Sequence, residues 1–188
     1  MTDLTERFQS ALAFATQLHR DQRRKGTDIP YMSHLLGVAS IALEIGADED
    51  QAIAALLHDA VEDQGGAPCL VEIRKRFGDR VAGIVSDCTD ADTDPKPPWR
   101  ARKEAYIASL SHKHPDSLLV SLADKTHNAR AILDDLVVHG PGLWDRFTGG
   151  REGSLWYYDE LAKAFRSHLP GPAADRLVFD VQEMHRAA

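Results

Sequence analysis

Cysteine is scarce in this chain. Its two copies, Cys69 and Cys88, lie outside any Cys-x-x-Cys pair or Cys/His cluster. A zinc site built on thiolates is therefore not expected, and both are read as reduced thiols partly buried in helices. Long apolar runs are lacking as well. None approaches the roughly 20 residues that a membrane-spanning helix needs, which argues against a membrane protein. The opening MTDLTERFQS has neither a basic n-region nor an apolar h-region, so no signal peptide is expected and the cytoplasm is the default location. Positive charge is in deficit too, with a net charge of −7. That balance disfavours a nucleic-acid partner, because non-specific affinity for nucleic acid comes mainly from neutralising phosphates. A small anionic ligand stays open, provided that a metal or a local arginine and lysine cluster supplies positive charge. Strand-type alternation of useful length and internal repeats are also missing.

What is present is helical spacing. With 188 residues, 43 % of them hydrophobic and 27 % charged, the chain can bury a full core as one soluble domain spanning 1–188. Phe8, Ala11, Leu12, Ala15 and Leu18 share one face of a first helix. A basic turn, QRRKGTDIP at 22–30, precedes a second helix over about 33–45. Asp48 is placed to cap a third, AIAALLHDAVED, which is apolar on most faces and so should be central. Two shorter helices at 68–77 and 79–89 are split by Gly78, with Asp79 as the expected cap of the second. DADTDPKPPW at 90–99 is the clearest loop. Helices are then expected at about 100–112, from Pro115 to a break at Gly140, over 151–168, and in a short last segment after Pro172. The fold class is all-α, a bundle of roughly eight to ten helices.

The chemistry-bearing residues fall in three fragments. His58-Asp59 ends the apolar third helix and is followed by Glu62 and Asp63. Residues three and four apart share a helix face, so the three carboxylates crowd together and would resist joint ionisation without a cation. The plainer alternative is a helix end dipping into solvent, although acids suit a helix C-terminus poorly. Asp124 and Asn128, four apart in a strongly apolar stretch, form the second fragment. A buried Asp there is either paired, with Lys125 or Arg130, or bound to a metal. His34, after the basic turn, is the third. Combined, these imidazole and carboxylate donors suit manganese, iron, zinc or magnesium.

The pattern His34, His58-Asp59 and Asp124 resembles the HD superfamily of metal-dependent phosphohydrolases. The segments HRDQRRKGTDIPYMSH, AALLHDAVED and SLADKTHNAR are similar to the hydrolase domain of the Rel/SpoT alarmone enzymes and to the stand-alone small alarmone hydrolases. The resemblance runs from about residue 8 to 165. It implies an HD-domain helical bundle in which His34, His58, Asp59 and Asp124 bind one divalent metal, Mn2+. It implies that Glu62 and Asp63 activate or position the attacking water, and that Asn128, Arg24 and Lys25 contact the nucleotide. Tyr31 and Lys125 are added as further substrate-binding candidates, with Tyr157 or Tyr158 as a second aromatic. Lys96, Arg100, Arg102 and Lys103 form a further basic cluster that either meets phosphate or is a solvated helix face. His127 is read as structural.

The implied reaction removes pyrophosphate from the 3′ position of guanosine 3′,5′-bis(diphosphate), ppGpp, with a nucleotide polyphosphate as partner and a homo-oligomer left open. Where bifunctional family members usually read RKSGEPY, this chain reads RKGTDIPY, one residue longer before Pro30. An adenosine alarmone such as ppApp, another nucleotide phosphate ester, or a non-catalytic nucleotide-binding module are the alternatives.

Overall fold

Helix α3, Glu49–Leu57, is the element on which the first half of the chain packs. Every residue from Ala52 to Leu57 is fully buried, as expected of a segment apolar on most faces. In the computed structural model, residues 2–89 and 97–188 are described, and they fold into two compact units. The first unit comprises the residues up to 89 together with 114–123, and the second comprises 97–113 and 124–188. Among the described residues the secondary structure is ten α-helices and two 3-10 segments, with one isolated β-bridge between Arg23 and Pro30. The expected all-helical class is the observed one.

In the first unit, α1 (Glu6–Leu18), α2 (Met32–Glu44) and α6 (Asp79–Cys88) pack against α3. On α1 the buried residues are Ala11, Phe14 and Ala15, whereas Phe8, Leu12 and Leu18 are half-buried against the same core. The expected stripe is thus rotated toward Phe14, whose ring lies 6.1 Å from that of Phe77. The third helix does not run on through the HD pair. It stops at Leu57, and a short α4, Ala60–Gln64, begins after Asp59. Helix α5, Gly66–Phe77, leads to Gly78, which itself caps α6 at φ 95°. Asp79 is therefore the first residue of α6, not its cap, and pairs with Arg74 at 3.0 Å. A positive φ there is cheap only for glycine. Cys69 is a buried free thiol, and Cys88 Sγ lies 3.6 Å from Ser121 Oγ.

The start of α3 is held by charge. Asp48 and Gln51 form a reciprocal capping box. Arg7 reaches Glu49 and Asp50, at 3.2 and 2.8 Å. Arg80 reaches Asp48 at 2.7 Å, Asp50 at 3.3 Å and Asp116 at 2.8 Å. Acids in the first turn also complement the helix dipole.

The second unit contains α7 (Trp99–Ser109), the later part of α8 (Pro115–His139), α9 (Gly150–His168) and α10 (Pro172–Ala187). The last helix is four turns long, not the short segment expected. The three-residue link Leu169–Gly171 makes α9 and α10 neighbours, around Leu161, Phe165, Leu177 and Met184, all fully buried. Asp180, buried in this unit, is answered by Arg130 at 3.3 Å and Arg176 at 3.0 Å. Trp99 lies against the start of α9, where a Cβ added to Gly149 would come within 2.6 Å of its ring. No helix among the described residues is long and apolar enough to cross a membrane. Of the expected 90–99 loop, residues 90–96 lie outside the described residues.

Asp48→Ala should cost about 1 kcal/mol from the lost cap, measured by urea unfolding. Asp48 and Glu49 are both held below the usual carboxylate range. For Asp48, desolvation opposes the shift, and the Gln51 amide and Arg80 outweigh it. For Glu49 the Thr5 amide is the leading cause. Groups depressed in the folded state stabilise it above their unfolded pKa values and lose that contribution as pH falls. Wild-type stability should therefore decline below about pH 5, less steeply in Asp48→Ala. In the second unit, Gly149→Ala should cost about 1–3 kcal/mol by overpacking against Trp99. Gly83→Ala, in open space within α6, should stabilise by up to about 1 kcal/mol.

Candidate metal centre

The HD pair occupies the turn between α3 and α4, where both residues keep helical dihedrals without belonging to either helix. His58 is 2 % exposed, and its Nδ1 lies 2.8 Å from the Ala55 carbonyl. A carbonyl only accepts, so Nδ1 carries the proton, and in the neutral ring Nε2 presents a lone pair. That Nε2 lies 3.0 Å from Asp59 Oδ2. His34, at the start of α2 and 1 % exposed, brings its Nε2 to 3.4 Å from the same oxygen. One ligand atom from each of His34, His58 and Asp59 lies within 4.8 Å of the others. A carboxylate oxygen facing an imidazole lone pair at 3.0 Å is repulsive unless a proton or a cation stands between them. The donor set, two imidazoles and a carboxylate, fits a divalent ion.

Positive charge is what Asp59 requires at this point. Desolvation opposes its ionisation, and His58 and His34, when protonated, outweigh it and hold the carboxyl well below its usual range, the part that a cation would take when both Nε2 atoms are lone pairs. Tyr31 contributes as well. Its hydroxyl donates to Asp59 Oδ2 at 2.6 Å, and the Arg24 guanidinium lies 5.8 Å from its ring centroid. Tyr31, expected to meet substrate, thus engages a metal-site carboxylate. The basic turn that carries Arg24 is closed by Arg24 N–H to Ile29 O at 2.9 Å and Tyr31 N–H to Gln22 O at 3.0 Å. Gly26 supplies the positive φ of 74° at its tip, beside exposed Lys25.

Glu62 and Asp63 follow on α4, and the Asp63 amide donates to the Asp59 carbonyl at 3.0 Å, so helical spacing persists across the break. The Asp63 carboxyl is raised above its usual range. Burial is the largest cause, opposed by a hydrogen bond from Gln22 and reinforced by Asp59 and Glu62. A carboxylate shifted this way holds a proton more readily than its neighbour Asp59, so the two acids differ in basicity.

Asp124 belongs to the second unit. Its side chain is 9 % exposed, with Lys125 Nζ 2.6 Å from Oδ2 and Asn128 Nδ2 donating to Oδ1 at 2.6 Å. Of the two pairing partners that the sequence left open, Lys125 is the one taken, since Arg130 goes to Asp180. Lys125 also lies 4.7 Å from the Tyr106 ring centroid. Desolvation would lower its pKa, but Asp124 and the nearby tyrosines raise it well above the ordinary lysine value. Tyr157 and Tyr158 are buried core residues. Arg100 pairs with Glu104 at 2.7 Å and lies 3.2 Å over Trp156, and Lys103 lies 5.0 Å over Tyr157. Lys96 lies outside the described residues.

Three residues near the triad were not expected from the sequence: His19, Gln22 and Gln64. His19 Nδ1 lies 2.6 Å from Gln22 Oε1, and its ring stacks on Tyr31 at 5.3 Å. Gln22 Nε2 donates to Asp63 Oδ2 at 2.8 Å. One signal was available. His19 continues the buried stripe of Ala11 and Ala15 at the same four-residue interval.

The HD domain family model matches residues 11–153. A guanosine-3′,5′-bis(diphosphate) 3′-pyrophosphohydrolase, MESH1 of Xenopus tropicalis, is 42 % identical over 65 % of this chain and 67 % of its own. Its Drosophila melanogaster counterpart is 36 % identical over 73 % and 74 %. The solved structure of a metazoan orthologue of SpoT that hydrolyzes ppGpp superposes with a TM-score of 0.76 at 29 % identity, covering 99 % of this chain and 97 % of that one. The chain belongs to the HD domain family and is a homologue of the MESH1 and SpoT hydrolases.

Proposed function

We propose that this chain is a metal-dependent phosphohydrolase that removes pyrophosphate from the 3′ position of ppGpp, releasing GDP. One observation carries the reading: the proton on His58 Nδ1 leaves its Nε2 lone pair facing Asp59 Oδ2 at 3.0 Å, beside His34. Homologues acting on ppGpp supply the substrate class. The family match crosses the boundary between the two units, which supports treating residues 1–188 as one HD-type hydrolase.

His34, His58 and Asp59 would hold the divalent ion, Mn2+ in this proposal. Resemblance, not geometry, adds Asp124 as fourth ligand and Asn128 as a substrate contact. When bound, the ion supplies Lewis acidity and makes a bound water more acidic. Asp63, whose carboxyl is raised above its usual range, takes a proton from the attacking water, with Glu62 next to it on α4. The water oxygen bonds to the 3′ phosphorus, the bond from that phosphorus to the ribose oxygen breaks, the ribose oxygen leaves as a hydroxyl with a proton drawn from solvent, and Asp63 returns its proton to solvent. Arg24 and Lys25 offset phosphate charge, and their turn is the element that would meet the nucleoside. Its extra residue before Pro30 makes ppApp the substrate to set against ppGpp. Cytoplasmic residence is part of the proposal.

Two experiments test this. Incubation with Mn2+ and a panel of ppGpp, ppApp and 5′-nucleotides should release pyrophosphate from the 3′-substituted substrates. Asp59→Asn should abolish turnover with circular dichroism unchanged. Turnover of 5′-nucleotides alone, or full activity in Asp59→Asn, would refute the reading. Tyr31→Phe removes the hydroxyl that orients Asp59 and should weaken metal affinity by about 10- to 100-fold, read by calorimetric titration with Mn2+.

A further inference from the structure

Buried His19 and half-buried Gln22 and Gln64 form a hydrogen-bonded group beside the metal triad, and none of the three takes a step in the proposed reaction. Gln22 Oε1 receives His19 Nδ1 at 2.6 Å and the Gln64 side-chain amide, while Gln22 Nε2 donates to Asp63 Oδ2 at 2.8 Å. These partners leave the Gln22 amide a single orientation. Reversed, its oxygen would face the Asp63 carboxylate, two acceptors with no proton between them. The same contacts fix the His19 tautomer, because Nδ1 must carry the proton that Gln22 accepts. His19 Nε2 is then a lone pair, and it is buried without a hydrogen-bond partner among the described residues. An apolar side chain would pack at this 1 % exposed position without leaving such an atom unsatisfied. What the imidazole adds is a donor at one edge and a flat face at the same time. The face stacks on Tyr31, at 5.3 Å between centroids and 15° between planes, and the Tyr31 hydroxyl donates to Asp59.

We propose that His19 and Gln22 are positioning residues for the phosphohydrolase reaction. Gln22, held by the edge of His19, fixes the Asp63 carboxylate by its Oδ2 and leaves Oδ1 to receive the water proton. The face of His19 backs the tyrosine that orients Asp59. One side chain thereby registers the proton acceptor against a metal ligand. Burial lowers the His19 pKa, which keeps the ring neutral and the tautomer single near pH 7. The inference rests on the reading of Asp63 as proton acceptor, and the test separates the two.

The test compares the full-length Mn2+-loaded protein with Gln22→Leu, Gln22→Glu, His19→Phe, Asp63→Asn and the double variant Gln22→Leu/Asp63→Asn, each checked for folding by circular dichroism. Gln22→Glu keeps an oxygen for His19 and Gln64 and replaces the donor to Asp63 by a carboxylate oxygen that repels it, whereas Gln22→Leu removes the donor without adding charge. His19→Phe keeps an aromatic face for Tyr31 and removes only the donor to Gln22. Each of these three single variants should lower kcat for ppGpp about 10- to 100-fold, with KM within about twofold and Mn2+ affinity unchanged, a split that a general loss of structure would not produce. In the Asp63→Asn background, Gln22→Leu should cost nothing further, because the two act as one unit. Unchanged kcat in Gln22→Leu and Gln22→Glu while Asp63→Asn is inactive overturns the proposal, as do losses that multiply in the double variant. Full activity in Asp63→Asn overturns the reading of Asp63 instead, and the proposal with it.

Discussion

The hydrogen bond between His58 Nδ1 and the Ala55 carbonyl is the contact on which the rest of the site depends. It is made inside the last turn of a helix with no solvent-facing side, so nothing competes with it. It decides which ring nitrogen holds the proton, and so turns the other toward Asp59 as a donor of electrons. Without it, His58 and Asp59 would be an ordinary hydrogen-bonded pair. With it, they face each other in a way that only a positive charge relieves. The cost of burying His34 and His58 beside a partly buried aspartate is borne by an apolar core on which three other helices also depend.

A second layer of contacts divides the labour among the acids. Asp59 is kept ionised by imidazoles and by the Tyr31 hydroxyl, whereas Asp63 is made a better base by burial and by its acidic neighbours. Two carboxylates four residues apart thus acquire different properties from their surroundings, as acid and base roles require. In the second unit, Asp124 is satisfied through both oxygens by Lys125 and Asn128, so any further ligand would share a carboxylate that is already oriented.

Much of the helical layout was legible because the apolar period of 3.6 is strong from Glu6 to Cys88 and again beyond Pro115. The Asp48 cap was legible for the same local reasons. What periodicity could not show was the interruption at His58-Asp59, since both residues retain helical dihedrals and only the hydrogen-bond ladder breaks. Nor could it separate Gly78 from Asp79 as cap, because the decision rests on a backbone angle of 95°. The triad residues were readable as types. The His19, Gln22 and Asp63 chain was not, because it joins side chains from the end of one helix, a turn and another helix over a separation of more than forty residues. The pairing of Asp124 stayed open for a similar reason, since Lys125 and Arg130 are both within reach on one helix.

The distribution of tryptophan has a practical side. All three, Trp99, Trp144 and Trp156, lie in the second unit, whereas the HD triad and its supporting network lie in the first. Intrinsic fluorescence excited at the indole band therefore watches only one of the two compact units, while far-ultraviolet dichroism watches both. If the two optical signals melt together, the units unfold as one cooperative block. If they separate, the protein carries its own built-in reporter for the unit that does not contain His34, His58 and Asp59.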